Sequence, residues 1–196
     1  MRISTGCGIK PSSIVGGSEA SPYSLPWQVA LVSSGGSSSF CGGTLISDRH
    51  VLTAAHCTSG VFDVIVGEHT ITSSSDGTRH HVCRFVDHPN YGNLDNDFSI
   101  LHLSQPVKIG TRAAPACLPS SNMGGDFLAG KTMTVSGWGD LTEEGSGPTV
   151  LHSVNVPGIT NTKCSQSYPG EITSAMLCAG YAGGELDACQ GDSGGK

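Results

Sequence analysis

Charge is scarce in this chain. Of its 196 residues only 13% are Asp, Glu, Lys or Arg, while glycine alone contributes 28. Acidic groups outnumber basic ones, 16 to 10, and the formal net charge of −6 leaves no basic footprint for nucleic acid or an anionic membrane. No apolar run approaches bilayer-spanning length, which excludes a transmembrane helix. The opening residues, Met1-Arg2-Ile3-Ser4-Thr5-Gly6, lack the apolar stretch of a signal peptide. Gly and Ser spread along the whole length favour short strands joined by many turns over long helices.

Cysteine is abundant. Eight cysteines in a chain of this size imply an oxidising compartment. Without a leader at Met1, either a signal peptide has been removed or the sequence begins inside its natural chain, and the second is the expectation. Spacing alone leaves the pairing of the cysteines open.

Apolar runs are short and often alternate. Trp27–Val32 and Gly43–Ser47 read as strands on either side of a Ser/Gly hairpin, Ser33 to Ser39. Asp63–Gly67 and Phe98–Leu103 continue the pattern. A stretch rich in Gly, Pro and Ala, Gln105 to Pro119, reads as a connection between two halves. Strands resume at Lys131–Gly139 and Val150–Val156, and Thr160 to Tyr168 carries one helical turn. The pattern by itself supports an all-β protein.

Three motifs stand in chain order: Thr53-Ala54-Ala55-His56-Cys57, Asp95-Asn96-Asp97-Phe98 and Gly191-Asp192-Ser193-Gly194-Gly195. They supply a histidine, an acid and a serine. A serine hydroxyl is a poor nucleophile until a histidine takes its proton and a buried carboxylate holds that histidine in one tautomer. Glycines around the serine let a substrate carbonyl approach backbone N–H groups. Gly191–Gly195 also fits Gly-x-Ser-x-Gly, the nucleophile elbow of α/β-hydrolases. In those enzymes the acid and the histidine follow the serine, whereas here only Gly194, Gly195 and Lys196 follow. Order alone excludes that reading.

Together with Ile14-Val15-Gly16-Gly17, Ser24-Leu25-Pro26-Trp27, Cys41–Ile46, Ala114–Pro119 and Ser136-Gly137-Trp138-Gly139, these motifs resemble the chymotrypsin/trypsin family of serine endopeptidases. The resemblance runs from Ile14 to Gly195. It implies two antiparallel six-stranded β-barrels, the second incomplete in this chain. The expected spans are 1–13 for a pro-segment, 14–109 for the N-terminal barrel and 110–196 for the partial C-terminal barrel. It implies His56 as general base, Asp97 as orienting acid and Ser193 as nucleophile, with the N–H groups of Gly191 and Ser193 as oxyanion hole. Asp95 lies two residues from Asp97, on the same face if the segment is extended. The family's acid immediately precedes an apolar strand, and Phe98-Ser99-Ile100-Leu101 begins directly after Asp97, which leaves Asp95 as a turn residue.

Asp187, six residues before Ser193, falls where trypsin-like members place the acid of the primary specificity pocket, implying selection of Lys or Arg. Asp192 would pair with the α-amino group of Ile14 once the chain is cut there, and such a buried pair can hold a switch in one state. Ser13, not Lys or Arg, precedes Ile14, and Lys10 is followed by Pro11, so the usual tryptic activation cut is absent.

The implied disulfides are Cys41–Cys57, Cys164–Cys178 and Cys7–Cys117. Closing a loop of about 15 residues around His56 is worth about 3 kcal/mol in the chain-entropy model. Cys189 and the position of Met133 would have partners beyond Lys196, and Cys83 has no assigned partner. Some members hold Ca²⁺ in the loop after the third strand. Glu68 matches one ligand and Asp76 could add another, but Ser73-Ser74-Ser75 offers only hydroxyls and carbonyls, so no tight site is expected. His69, His80 and His81 read as loop residues, not ligands.

The sequence therefore points to a secreted, trypsin-like endopeptidase precursor, cleaving after Lys or Arg through an acyl-enzyme, with no metal or organic cofactor. Its expected partners are protein or peptide substrates and proteinaceous inhibitors, not nucleic acid or membrane. The complete protein is expected to be monomeric, and the 196-residue chain itself inactive. The rival is a non-catalytic homologue that acts by binding. Such proteins lose a triad member, and only the Ser13–Ile14 junction favours that alternative here.

Overall fold

The computed structural model describes residues 18–72, 76–120, 123, 125–139 and 148–181. Along the chain, β1 is Ser18–Glu19, β2 Gln28–Ser33, β3 Ser39–Leu45, β4 His50–Thr53, β5 Phe62–Val66, β6 Thr78–Asp87 and β7 Ser99–Leu103. After the connection come β8 Thr132–Gly137, β9 His152–Ile159, helix α1 Asn161–Ser167 and β10 Cys178–Ala179. Short 3₁₀ turns lie at Ala55–Cys57 and Gly125–Leu128.

Six strands close a barrel in the order β2-β3-β4-β7-β6-β5, all neighbours antiparallel. In β4 and β7 buried and half-buried residues alternate, as a strand with one face on a core requires. Val51 and Leu101 point inward while His50 and His102 meet edge to face on the outer side. Strand β2 is buried at five successive positions, Gln28 to Val32, because its outer face is covered too. The Ser136 hydroxyl of β8 donates to Gln28 Oε1 at 2.8 Å in that covered layer. A strand buried on both faces reads as a continuous apolar run, the pattern seen at Val29-Ala30-Leu31-Val32.

Barrel closure requires close packing at Gly43. A Cβ there would lie 2.8 Å from Val51 Cγ1 and 2.9 Å from Val29 Cγ2. Only glycine fits without displacing the core.

The second half is a four-stranded sheet built around β9. Strand β8 pairs with it from Thr132 opposite Pro157 to Gly137 opposite His152, β10 pairs at its far end, and β1 adds from the start of the chain. The halves are joined by Trp138, whose indole N–H donates to the His69 carbonyl at 3.1 Å, and by the Leu151 N–H, which donates to the same carbonyl at 2.9 Å. The all-β expectation holds. Helix α1 is longer than the single turn read from sequence, and its N-cap, Thr160, accepts from the Lys163 N–H. Four strands, β1, β4, β6 and β10, had not been read from the sequence. In β6, Thr78-Arg79-His80-His81-Val82-Cys83-Arg84-Phe85-Val86-Asp87, no clean alternation exists, and pairing with β5 and β7 on its two sides makes it a strand.

Candidate active site

His56 is presented outward by its neighbours. Ala55 and Cys57 are buried, and the tight turn between them leaves the intervening side chain on the surface. The turn is fixed by a disulfide to β3, Cys41–Cys57, with a Cα–Cα distance of 6.2 Å. The Thr58 hydroxyl donates to the Ala55 carbonyl at 2.7 Å, and the Thr53 hydroxyl donates to the Gly42 carbonyl at 2.8 Å. Cys41, His56 and Cys57 come close enough to suggest metal ligation, but both sulfurs are spent in the disulfide and offer no thiolate.

Asp97 meets His56 twice. The His56 backbone N–H donates to Oδ1 at 3.0 Å, and Nδ1 lies 2.6 Å from Oδ2. A carboxylate only accepts, so the proton of the second bond sits on Nδ1 and Nε2 keeps its lone pair. The side chains are 39% and 19% exposed, so the imidazole reaches solvent while its partner is held back. This geometry suits a general base whose tautomer is fixed from behind.

Asp95 faces elsewhere. Its Oδ1 accepts from the Thr173 hydroxyl at 2.5 Å, and its Oδ2 from the Asn96 side-chain amide at 3.2 Å. The extended segment that would have put both acids on one face is absent. Asn96 has φ of 53°, a left-handed turn that sends the two carboxylates in different directions. Asn tolerates that conformation, and the Asn-rich run Asn93 to Asn96 was the available signal. Thr173 had no such signal.

The proposed loop ligands are satisfied within the protein. Asp76 Oδ1 accepts from the N–H groups of His69 at 3.0 Å and Thr70 at 3.2 Å, while Oδ2 accepts from the Tyr23 hydroxyl at 2.5 Å. Glu68 Oε1 accepts from the Asp76 N–H at 3.1 Å. Burial opposes ionisation of Asp76, yet its hydrogen bonds with Glu68, His69, Tyr23 and Thr70 together hold its carboxyl well below the usual carboxylate range. A cation at Asp76 would compete with those donors. Ser73, Ser74 and Ser75 lie outside the described residues.

Cys164 and Cys178 form a disulfide that ties α1 to β10. Cys117 is disulfide-bonded, and Cys7 lies outside the described residues. Cys83 is an exposed free thiol on β6 whose Sγ contacts the His102 carbonyl at 3.2 Å. Ile14, Asp187, Cys189, Gly191, Asp192 and Ser193 also fall outside the described residues. A cavity of about 910 Å³ opens between α1, β10 and Gly158, but neither His56 nor Asp97 lines it.

The geometry of His56 and Asp97 can be set against known proteins. The family model described as Trypsin matches residues 14–195. The chain belongs to the trypsin family. It is 42% identical to trypsin-2 of Salmo salar over 186 residues, covering 93% of this chain and 77% of the relative. It is 41% identical to serine protease 1 of Rattus norvegicus, covering 93% and 73%. The solved structure of neuropsin, a serine protease expressed in the limbic system of mouse brain, superposes with a TM-score of 0.82 at 36% identity, covering 93% of this chain and 81% of that one. Membership of the trypsin family makes this protein a serine endopeptidase, a hydrolase of peptide bonds. Among the described residues no helix is long and apolar enough to cross a membrane.

Proposed function

We propose that this trypsin-family protein cleaves peptide bonds after Lys or Arg through an acyl-enzyme on Ser193. The observation that carries the reading is the His56–Asp97 pair, which leaves Nε2 free to accept a proton. The Ser193 hydroxyl gives its proton to Nε2 as its oxygen bonds to the scissile carbonyl carbon. The oxyanion so formed is held by the N–H groups of Gly191 and Ser193. His56 then passes the proton to the leaving nitrogen as the C–N bond breaks, which leaves an ester on Ser193. Water attacks that ester with its proton taken by His56, and Ser193 recovers a proton on departure. Asp97 orients the imidazole and stabilises the cation that forms between steps.

Specificity follows from Asp187, a carboxylate at the base of the pocket that attracts a cationic side chain. Activation follows from cleavage at Ser13–Ile14, after which the Ile14 α-amino group pairs with Asp192. The enzyme is a secreted zymogen, its disulfides suited to that compartment. Its partners are protein or peptide substrates and proteinaceous inhibitors.

The test is covalent labelling of the complete protein after cleavage at Ser13–Ile14, using phosphonates with a cationic or an aromatic side chain and mapping the adduct by mass spectrometry. The cationic reagent labels Ser193 faster by about two orders of magnitude, and Asp187→Ser removes the preference. Equal labelling overturns the specificity. No adduct on Ser193 overturns catalysis and favours the non-catalytic alternative.

A further inference from the structure

We infer that Thr58 and Asp87 form a brace that holds the His56 turn in register with Asp97, which makes both of them positioning residues for catalysis. The inference rests on the catalytic reading of His56 and Asp97. Position matters because the pair uses His56 twice. Asp97 accepts from the His56 backbone N–H at 3.0 Å as well as meeting Nδ1 at 2.6 Å, so a shift of the turn disturbs both contacts at once. The turn itself is short. Only Ala55–Cys57 form it, and its closing backbone bonds run from the Cys57 N–H to the Ala54 carbonyl at 3.2 Å and from the Thr58 N–H to the Ala55 carbonyl at 3.1 Å. Turns of this 3₁₀ type make poorer hydrogen bonds than an α-helix. The Cys41–Cys57 disulfide ties the turn to β3, which is not a neighbour of β7, the strand that follows Asp97.

Thr58 supplies the link to that strand. Its buried hydroxyl lies 2.7 Å from the Ala55 carbonyl and 3.2 Å from Asp87 Oδ1. A hydroxyl carries one proton, so both acceptors draw on it, the nearer carbonyl more strongly. Asp87 ends β6 and lies directly across the ladder from Ser99, while the next residue, His88, donates its N–H to the Phe98 carbonyl at 3.0 Å. Phe98 and Ser99 are the two residues that follow Asp97. Ser99 is also the ladder partner of Thr53 in β4, three residues before His56. A closed circuit results. It runs from Ala55 through Thr58, Asp87, Ser99 and Thr53 and returns along the chain to the turn, with Asp97 attached two residues from Ser99.

The Thr58 hydroxyl is the one side-chain contact in that circuit, and the rest is backbone. Its replacement by a methyl keeps the shape of the residue and its N–H bond to Ala55, so the fold persists while the turn loses its tie to β6. Catalysis is sensitive to such slack. A misplacement of about 1 Å costs about 10² in rate, so one of a few tenths of an ångström costs about tenfold. A looser pair also stabilises the imidazolium less, which lowers the pH at which His56 takes up its proton.

The experiment uses the complete protein cut at Ser13–Ile14, with active sites counted by phosphonate labelling of Ser193. Thr58→Val removes the hydroxyl and Thr58→Ser keeps it. In Thr58→Val, kcat for an Arg ester falls about tenfold with KM within about twofold, and the acid limb of the kcat–pH profile moves to lower pH by about half a unit. Amide exchange at His56 quickens about tenfold. Thr58→Ser restores all three readouts. Asp87→Ala changes them in the same direction, and the double variant loses no more than Thr58→Val alone. Unchanged exchange at His56 overturns the brace, and so do losses that add in the double variant. A lower kcat with an unmoved acid limb, or one that Ser fails to restore, overturns the positioning role. If the parent takes no phosphonate on Ser193, the catalytic reading is what fails, and exchange at His56 in the single and double variants decides the brace.

Discussion

Asp97→Asn tests the site at its most constrained point. The native carboxylate accepts twice, from the His56 backbone N–H at 3.0 Å and from Nδ1 at 2.6 Å. An amide of the same shape has one acceptor and one donor group. If its oxygen keeps the backbone N–H, its NH₂ faces Nδ1, and the ring must offer a lone pair there and carry its proton on Nε2. That tautomer is fully bonded but cannot accept from Ser193. If the oxygen keeps Nδ1, donor meets donor at the backbone, an unmade bond that costs about 1–3 kcal/mol. The productive arrangement is then outnumbered by about fivefold to 150-fold. Loss of the negative charge behind the imidazolium removes further stabilisation, and the whole contribution of a positioned base is about 10²–10⁴ in rate. The expected fall in kcat for an Arg ester near pH 8 is therefore about 10³. Nitrogen-15 NMR of the imidazole should find the proton moved to Nε2. A kcat within about tenfold of the parent, or a proton still on Nδ1, would refute the reasoning.

Gly43→Ala places a methyl 2.8 Å from Val51 Cγ1 and 2.9 Å from Val29 Cγ2, so urea unfolding should show a loss of about 1–3 kcal/mol; an unchanged midpoint would mean that the barrel has room there. His80 and His102 are both held below the ordinary histidine range, chiefly by burial, with Arg84 and His50 adding to the effect at His102. The unfolded chain therefore binds more protons as pH falls below about 6.5, and stability should decline from pH 7 toward pH 5. His80→Gln should flatten that decline in denaturant titrations, and a slope as steep as the parent's would remove His80 as a cause.

The sequence carried the barrel's core strands because their burial is written in local pattern. Ser99-Ile100-Leu101-His102-Leu103 alternates, and Val29–Val32 is uniformly apolar. Both patterns match how those strands pack. Thr78–Asp87 carries Arg79, His80, His81 and Arg84 and has no such pattern. It becomes a strand through the edges offered by β5 and β7, and by contacts such as Arg79 to Asp63 at 3.1 Å. Distant partners, not local propensity, decide such a segment.

The chemistry of the site divides in the same way. The identity and order of His56, Asp97 and Ser193 are properties of the chain, since each side chain brings its own acid–base or nucleophilic character. The turn that exposes His56 is also local, set between buried Ala55 and Cys57. Which of two neighbouring acids serves the histidine was decided elsewhere. A left-handed residue at Asn96 separates Asp95 from Asp97, and Thr173 captures Asp95 from 78 residues away. The fate of Asp76 was likewise settled in three dimensions, by Tyr23 and two backbone N–H groups that converge on its carboxylate. A carboxylate's role depends on which donors reach it first, and only the folded chain brings donors from distant segments within 3 Å or so of its oxygens.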